Sequence, residues 1–105
     1  MAEAKKTVVV IEDESGMIDL VRLILERKGL KVIGALTGRE GLETIRRVKP
    51  GLILLDLTLP DMDGQEVYRQ IKADPELRHI PVQVVGAMAE GNDDVLRRYL
   101  RSLGK

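Results

Sequence analysis

Residues 51–64 read GLILLDLTLPDMDG, with four consecutive apolar residues, Leu52, Ile53, Leu54 and Leu55, directly before a carboxylate, Asp56. An unbroken apolar run of this kind suits a strand buried on both faces of a parallel sheet. The strand ends on Asp56, and the crevice beyond the carboxyl edge is where open α/β sheets place their ligand sites. Pro60 and Asp63-Gly64 then turn the chain sharply, which fixes the loop instead of letting it drift. A lone aspartate in this place is more commonly the cap of a βα loop, so its role rests on what surrounds it.

Upstream, residues 6–11, KTVVVI, are β-branched and apolar and read as a buried first strand, followed at once by Glu12-Asp13-Glu14. Ser15 is placed to cap a helix running to about Lys28, with Ile18, Val21, Ile24 and Leu25 on its inner face and Gly29 at its end. Residues 31–36, KVIGAL, predict a second strand. Thr37 and Glu40 form a capping box for a helix carrying Leu42, Ile45 and Val48, closed by Pro50.

Downstream, a helix from about Gly64 to Ala73 buries Val67 and Ile71 and stops at Asp74-Pro75. Residues 81–85, PVQVV, predict the fourth strand. Asn92 caps a last helix with Val95, Leu96, Tyr99, Leu100 and Leu103 on one side, ending at Gly104. Strands alternating with helices imply an α/β fold with a parallel sheet and right-handed crossovers, as a single domain over residues 1–105.

Composition narrows the function. Seventeen basic and seventeen acidic residues cancel, so no broad field draws the chain to nucleic acid or to an anionic membrane. The only aromatics are Tyr68 and Tyr99, too few for a single-strand stacking platform. No signal peptide or membrane span is legible at the N-terminus. The absence of cysteine excludes disulfides and thiolate metal sites and fits a reducing cytoplasm.

Adjacent parallel strands one and three would bring Glu12, Asp13 and Asp56 together. Carboxylates a few ångströms apart repel and take up protons unless a cation is present. Hard oxygen ligands with room for water and phosphate suit Mg²⁺. A solvated acidic loop face is the plainer reading of Glu12-Asp13 taken without Asp56.

The whole stretch DLTLPDMDG, together with Glu12-Asp13, resembles the receiver domain of two-component response regulators. That resemblance implies a doubly wound, flavodoxin-like sheet of order 2-1-3-4. It implies that Asp56 accepts a phosphoryl group from a phosphohistidine on a histidine kinase or phosphotransfer protein. It also implies that Glu12, Asp13, Asp56 and the backbone carbonyl of Thr58 hold Mg²⁺. A carboxylate nucleophile with a metal offsetting phosphoryl charge is sound chemistry for such a step.

The chain departs from the family at two places. Where the family has Ser or Thr at the end of strand four, IPVQVVGA places Gly86, followed by Ala87, so the switch hydroxyl is lost. The family's lysine at the end of strand five has no counterpart, because the chain reaches Lys105 before a fifth strand and fifth helix. A second alignment, which deletes the fourth helix, would put Arg98 in the lysine's place. On the first alignment strand four becomes an exposed apolar edge and one sheet face keeps only helix one, so self-association through both surfaces is expected.

Two other classes of function compete, and two further ones lack a residue they need. One is a degenerate receiver acting as a phosphorylation-independent interaction or dimerisation module. Another is a metal-dependent phosphotransfer enzyme built on Asp61-Met62-Asp63, although that D-x-D lies within the turn receivers share. A haloacid-dehalogenase-like hydrolase would want an acid where Thr58 stands. Flavin binding would need hydroxyls where Glu12-Asp13-Glu14 lies. His79, in the polar turn ELRHIP, reads as a loop residue.

Overall fold

The alternating apolar segments fold into four parallel strands with helices on both faces. A computed structural model describes residues 2–57, 59, 61–62, 64–85 and 94–104, apart from the side chains of Ala2, Glu3, Asp94 and Leu96. Thr58, Pro60, Asp63, Gly86, Ala87 and Asn92, all singled out above, lie outside the described residues, as does the Leu96 side chain.

A helical turn, Ala2–Lys5, leads into β1, Thr7–Ile11. There follow α1 (Ser15–Glu26), β2 (Lys31–Ala35), α2 (Gly38–Val48), β3 (Leu52–Asp56), α3 (Gly64–Ala73), β4 (Val82–Val85) and α4 (Asp94–Ser102). The sheet order is β2-β1-β3-β4, as the receiver resemblance implies. Ile11 lies level with Ala35 on one side and Leu55 on the other, and Asp56 is level with Val85.

The period-two alternation of the strands splits the core into two layers. Val9, Ile11, Ile53, Leu55 and Val82 pack with Leu42 and Ile45 of α2 and Val67 and Ile71 of α3. Val8, Val10, Val32, Leu52 and Leu54 pack with Ile18 and Leu25 of α1 and with Tyr99 of α4, supported by Val95, Leu100 and Leu103. The central strands are therefore buried on both faces, which is what the run from Leu52 to Leu55 required.

This second layer corrects an expectation. The face predicted to keep only helix one is also covered by α4. Tyr99 is buried there, and its hydroxyl donates to the Lys5 carbonyl at 2.7 Å. The right-handed crossover rule constrains a helix only when it connects two parallel strands of one sheet. No strand follows β4 among the described residues, so the packing of α4 is set by its apolar stripe.

Smaller corrections concern α1. Glu14 is the N-cap, without a side-chain cap bond, and Ser15 is already helical. The helix stops at Glu26, and the Gly29 and Leu30 amides close it onto Glu26 and Leu25. Ile24, expected on the inner face, is 48% exposed because the apolar arc of α1 is wider than the strip the sheet can cover. The Thr37 hydroxyl caps α2 as expected, accepting the Glu40 amide at 3.2 Å.

Candidate functional site

Pairing of β1 with β3 sets the end of one strand beside the end of the other. Glu12 follows β1 and Asp56 closes β3, so the topology turns a separation of 44 positions in sequence into a contact across two strand ends. One carboxylate oxygen from each of Glu12, Asp13 and Asp56 lies within 4.8 Å of the others. Glu12 is buried, Asp56 half-buried and Asp13 exposed, which grades the cluster from the core outward.

The backbone around Glu12 is held by its amide, which donates to the Ala35 carbonyl at 3.0 Å. The Glu14 amide donates to Glu12 Oε1 at 3.4 Å. The Glu12 carboxyl has its pKa pushed up to about 7, first by burial, then by a hydrogen bond with Asp13 and by the negative charge of Asp56. Crowding of this sort favours a proton or a small hard cation, and an all-oxygen donor set on a strand-end crevice fits Mg²⁺.

The loop after Asp56 is tightly tethered. The Gly64 amide donates to the Leu57 carbonyl at 2.9 Å. A Cβ on Gly64 would lie 2.3 Å from Leu57 Cα and 2.6 Å from the Asp56 carbonyl oxygen, so only glycine lets α3 start this close to the end of β3. Leu59 and Met62 pack onto the core layer beneath α2 and α3.

Asp61 is the residue whose role sequence reasoning missed. Its carboxylate accepts the Gly38 amide at 2.8 Å and the Arg39 amide at 3.2 Å, capping α2 from a distant loop. Those amides, that of Gly38 first, hold the Asp61 carboxyl below its ordinary pKa. The only hint in the sequence was that Thr37 could satisfy one of several orphan amides at the start of α2. Asp61 is thus engaged away from the acid cluster, which removes the basis for a D-x-D metal site.

The other flagged residues lie elsewhere. His79 lines a cavity of about 620 Å³ with Lys5, Lys49 and Gly51, at the opposite end of the strands from Asp56. Arg98 borders a groove beside Pro81 and Val82, at the start of β4, whereas Asp56 is level with Val85 at its end. Arg98 is therefore not beside Asp56.

With this geometry in place, comparison with known proteins is decisive. Residues 8–102 match the family model described as the response regulator receiver domain.

The chain belongs to the response regulator receiver domain family.

Receiver domains are signalling modules of two-component systems and not enzymes in their own right. The polar-differentiation response regulator DivK of Brucella anthropi is 39% identical over 94 residues, spanning 89% of this chain and 76% of that protein. The N-terminal domain of a response regulator receiver protein from Methanoculleus marisnigri superposes with a TM-score of 0.75 at 35% identity, covering 89% of this chain and 77% of that one. The Mn²⁺-bound form of response regulator Rcp1 superposes with a TM-score of 0.70 at 31% identity, covering 89% and 73%. No helix among the described residues is long and apolar enough to cross a membrane.

Proposed function

We propose that this receiver accepts a phosphoryl group on Asp56 from a phosphohistidine of a histidine kinase or phosphotransfer protein. The observation that carries the reading is the convergence of Glu12, Asp13 and Asp56 to within 4.8 Å at the sheet's carboxyl edge. In this reading those three acids and the Thr58 backbone carbonyl hold Mg²⁺. That a related regulator was solved with Mn²⁺ supports a divalent site. When bound, Mg²⁺ offsets the negative charge of the carboxylates and of the phosphoryl oxygens.

The ionised Asp56 oxygen is the nucleophile. A new O–P bond forms as the donor's N–P bond breaks, and the imidazole nitrogen leaves with the bonding electron pair. Glu12 must shed its proton to take part, and a cation in the cluster favours the ionised form. With Gly86 in place of a hydroxyl, the read-out through strand four differs from the family's. In this reading residues 1–105 act as one receiver unit in the cytoplasm, which the lack of cysteine fits.

Self-association at β4, the edge strand among the described residues, is a second part of the proposal. The edge is bordered by a cavity of about 470 Å³ lined by Leu57, Gln65, Tyr68, Val82, Val84 and Val95. Of the two surfaces expected to self-associate, the sheet face is withdrawn because α4 covers it.

The deciding experiment is Mg²⁺-dependent labelling with acetyl phosphate, read by intact mass, on wild type and Asp56→Asn. One phosphoryl gained by the wild type and none by the variant is the expected result. No gain by a wild-type protein that binds Mg²⁺ would sink the acceptor reading and leave an interaction module.

A further inference from the structure

At the amino-terminal edge of the sheet, opposite the acid cluster, three separate segments enclose a cavity of about 620 Å³. Its lining is apolar at Pro50, Ile80 and Pro81, and basic at Lys5, Lys49 and His79. Pro50 and Ile80 are buried, whereas Lys5, Lys49 and His79 are exposed. None of the described lining residues is acidic. The volume lies within the span of small-molecule sites, about 300–1,000 Å³.

Each segment is fixed through its backbone. The Lys5 carbonyl accepts the Tyr99 hydroxyl at 2.7 Å. A Cβ on Gly51 would collide with that carbonyl, so only glycine lets the turn Ala2–Lys5 sit against the start of β3. The Pro81 carbonyl accepts the Ile53 amide at 3.0 Å, and the Ile80 amide donates to the Leu77 carbonyl at 2.9 Å.

Lys49 closes α2 in the left-handed conformation, φ 50° and ψ 67°, with its amide donating to the Ile45 carbonyl at 2.8 Å. It is the one non-glycine residue at positive φ among the described residues. Glycine is the ordinary occupant of such a place, because it holds the conformation without strain. The helix dipole also favours a cation here, but Arg46 and Arg47 already supply charge to the last turn. What lysine adds is a charge beside the cavity, although it strains the backbone. Its ammonium meets Glu76 at 3.4 Å, and that exposed pair is a weak competitor for a ligand.

We infer that this cavity binds a small organic phosphate monoester. Its apolar body lies against Pro50, Ile80 and Pro81, and its dianionic head is within reach of Lys5 and Lys49, with the His79 imidazole as a further donor. Two ammonium groups suit a dianion better than a singly charged carboxylate. The site is at the far end of the strands from Asp56 and does not depend on phosphoryl acceptance there.

The test is an NMR titration of the ¹⁵N-labelled full chain with phenyl phosphate, without Mg²⁺, at about pH 7.2, where the monoester is dianionic. Saturable shifts centred on the amides of Lys5, Lys49, Gly51 and Ile80 are expected, with a Kd on the order of 0.1–1 mM. The amides of Glu14 and Leu57, beside the acid cluster, should not move. Inorganic phosphate and benzoate should each bind at least about fivefold more weakly, since one lacks the apolar body and the other the second charge. Lys49→Gly should weaken binding by about tenfold while keeping or raising the melting temperature, because relief of strain offsets the lost ion pair. Lys5→Gln, at an exposed position, should weaken binding by about three- to tenfold, and Glu76→Gln, which frees Lys49, should tighten it by about two- to threefold. No saturable shift up to about 20 mM, or shifts spread over lysines across the surface, overturns the inference. So does a Lys49→Gly variant that binds as tightly as wild type.

Discussion

The Asp61 carboxylate accepts the Gly38 amide at 2.8 Å across 23 positions of sequence, so the loop that follows the candidate acceptor is tied to the start of a helix on the neighbouring crossover. A negative group at a helix N-terminus also meets the positive end of the helix dipole. The loop's position and the integrity of α2 are therefore coupled.

From this coupling, Asp61→Ala is expected to lower the melting temperature and to slow phosphoryl labelling together, whereas Asp61→Asn, which keeps an acceptor oxygen, loses less of both. The Asp61 carboxyl is held below its ordinary pKa in the folded chain, so its contribution is present above the unfolded value and disappears as pH falls through the folded one. The difference in melting temperature between wild type and Asp61→Ala should accordingly shrink in acid below about pH 4. A constant difference from pH 7 to pH 3 would count against the cap.

Glu12 has the opposite sign. Its pKa rises from 4.5 to about 7 on folding, so the folded chain holds the proton more tightly. Stability from this group is complete below about pH 4.5 and is lost progressively as pH rises through about 7. Urea unfolding at pH 5 and pH 8 should show this loss in wild type and a flatter profile in Glu12→Gln. Added Mg²⁺ should recover stability at pH 8 far more than at pH 5, where protons compete for the same oxygens. Identical pH profiles for wild type and Glu12→Gln would refute the assignment.

Tyr99 anchors α4 through its buried ring and through the hydroxyl bond to the Lys5 carbonyl. Tyr99→Phe keeps the ring and is expected to cost about 1 kcal/mol, the usual net worth of one such bond. Tyr99→Ala also opens a cavity beneath α4 and should cost about 3–5 kcal/mol. If both variants unfold at the wild-type urea midpoint, α4 contributes nothing to this sheet face.

Most of the architecture is local and periodic, and for that reason it could be read directly. The unbroken run from Leu52 to Leu55 announced a strand buried on both faces, and the β-branched run before Glu12 announced its neighbour. Asp56 and Glu12-Asp13 sit at strand ends by sequence alone, so a parallel pairing of those strands was enough to bring them together. The family match could be made from DLTLPDMDG and the acid pair for the same reason: each is a contiguous string.

Other features depend on which surfaces meet, and spacing is silent on that. The apolar residues of α4 share one face, but the sheet layer that face would meet was settled by Tyr99 reaching the Lys5 carbonyl 94 positions away. The apolar residues of α1 outnumber the places the sheet can cover, and packing alone chose to bury Ile18 and Leu25 and to leave Met17, Leu20 and Ile24 in water. Asp61 looked like loop chemistry until the fold set it before two unsatisfied amides, and Glu12 became a near-neutral titrating group only when burial and Asp56 closed around it. Periodicity names the residues that travel together; long-range packing and electrostatics select what they face.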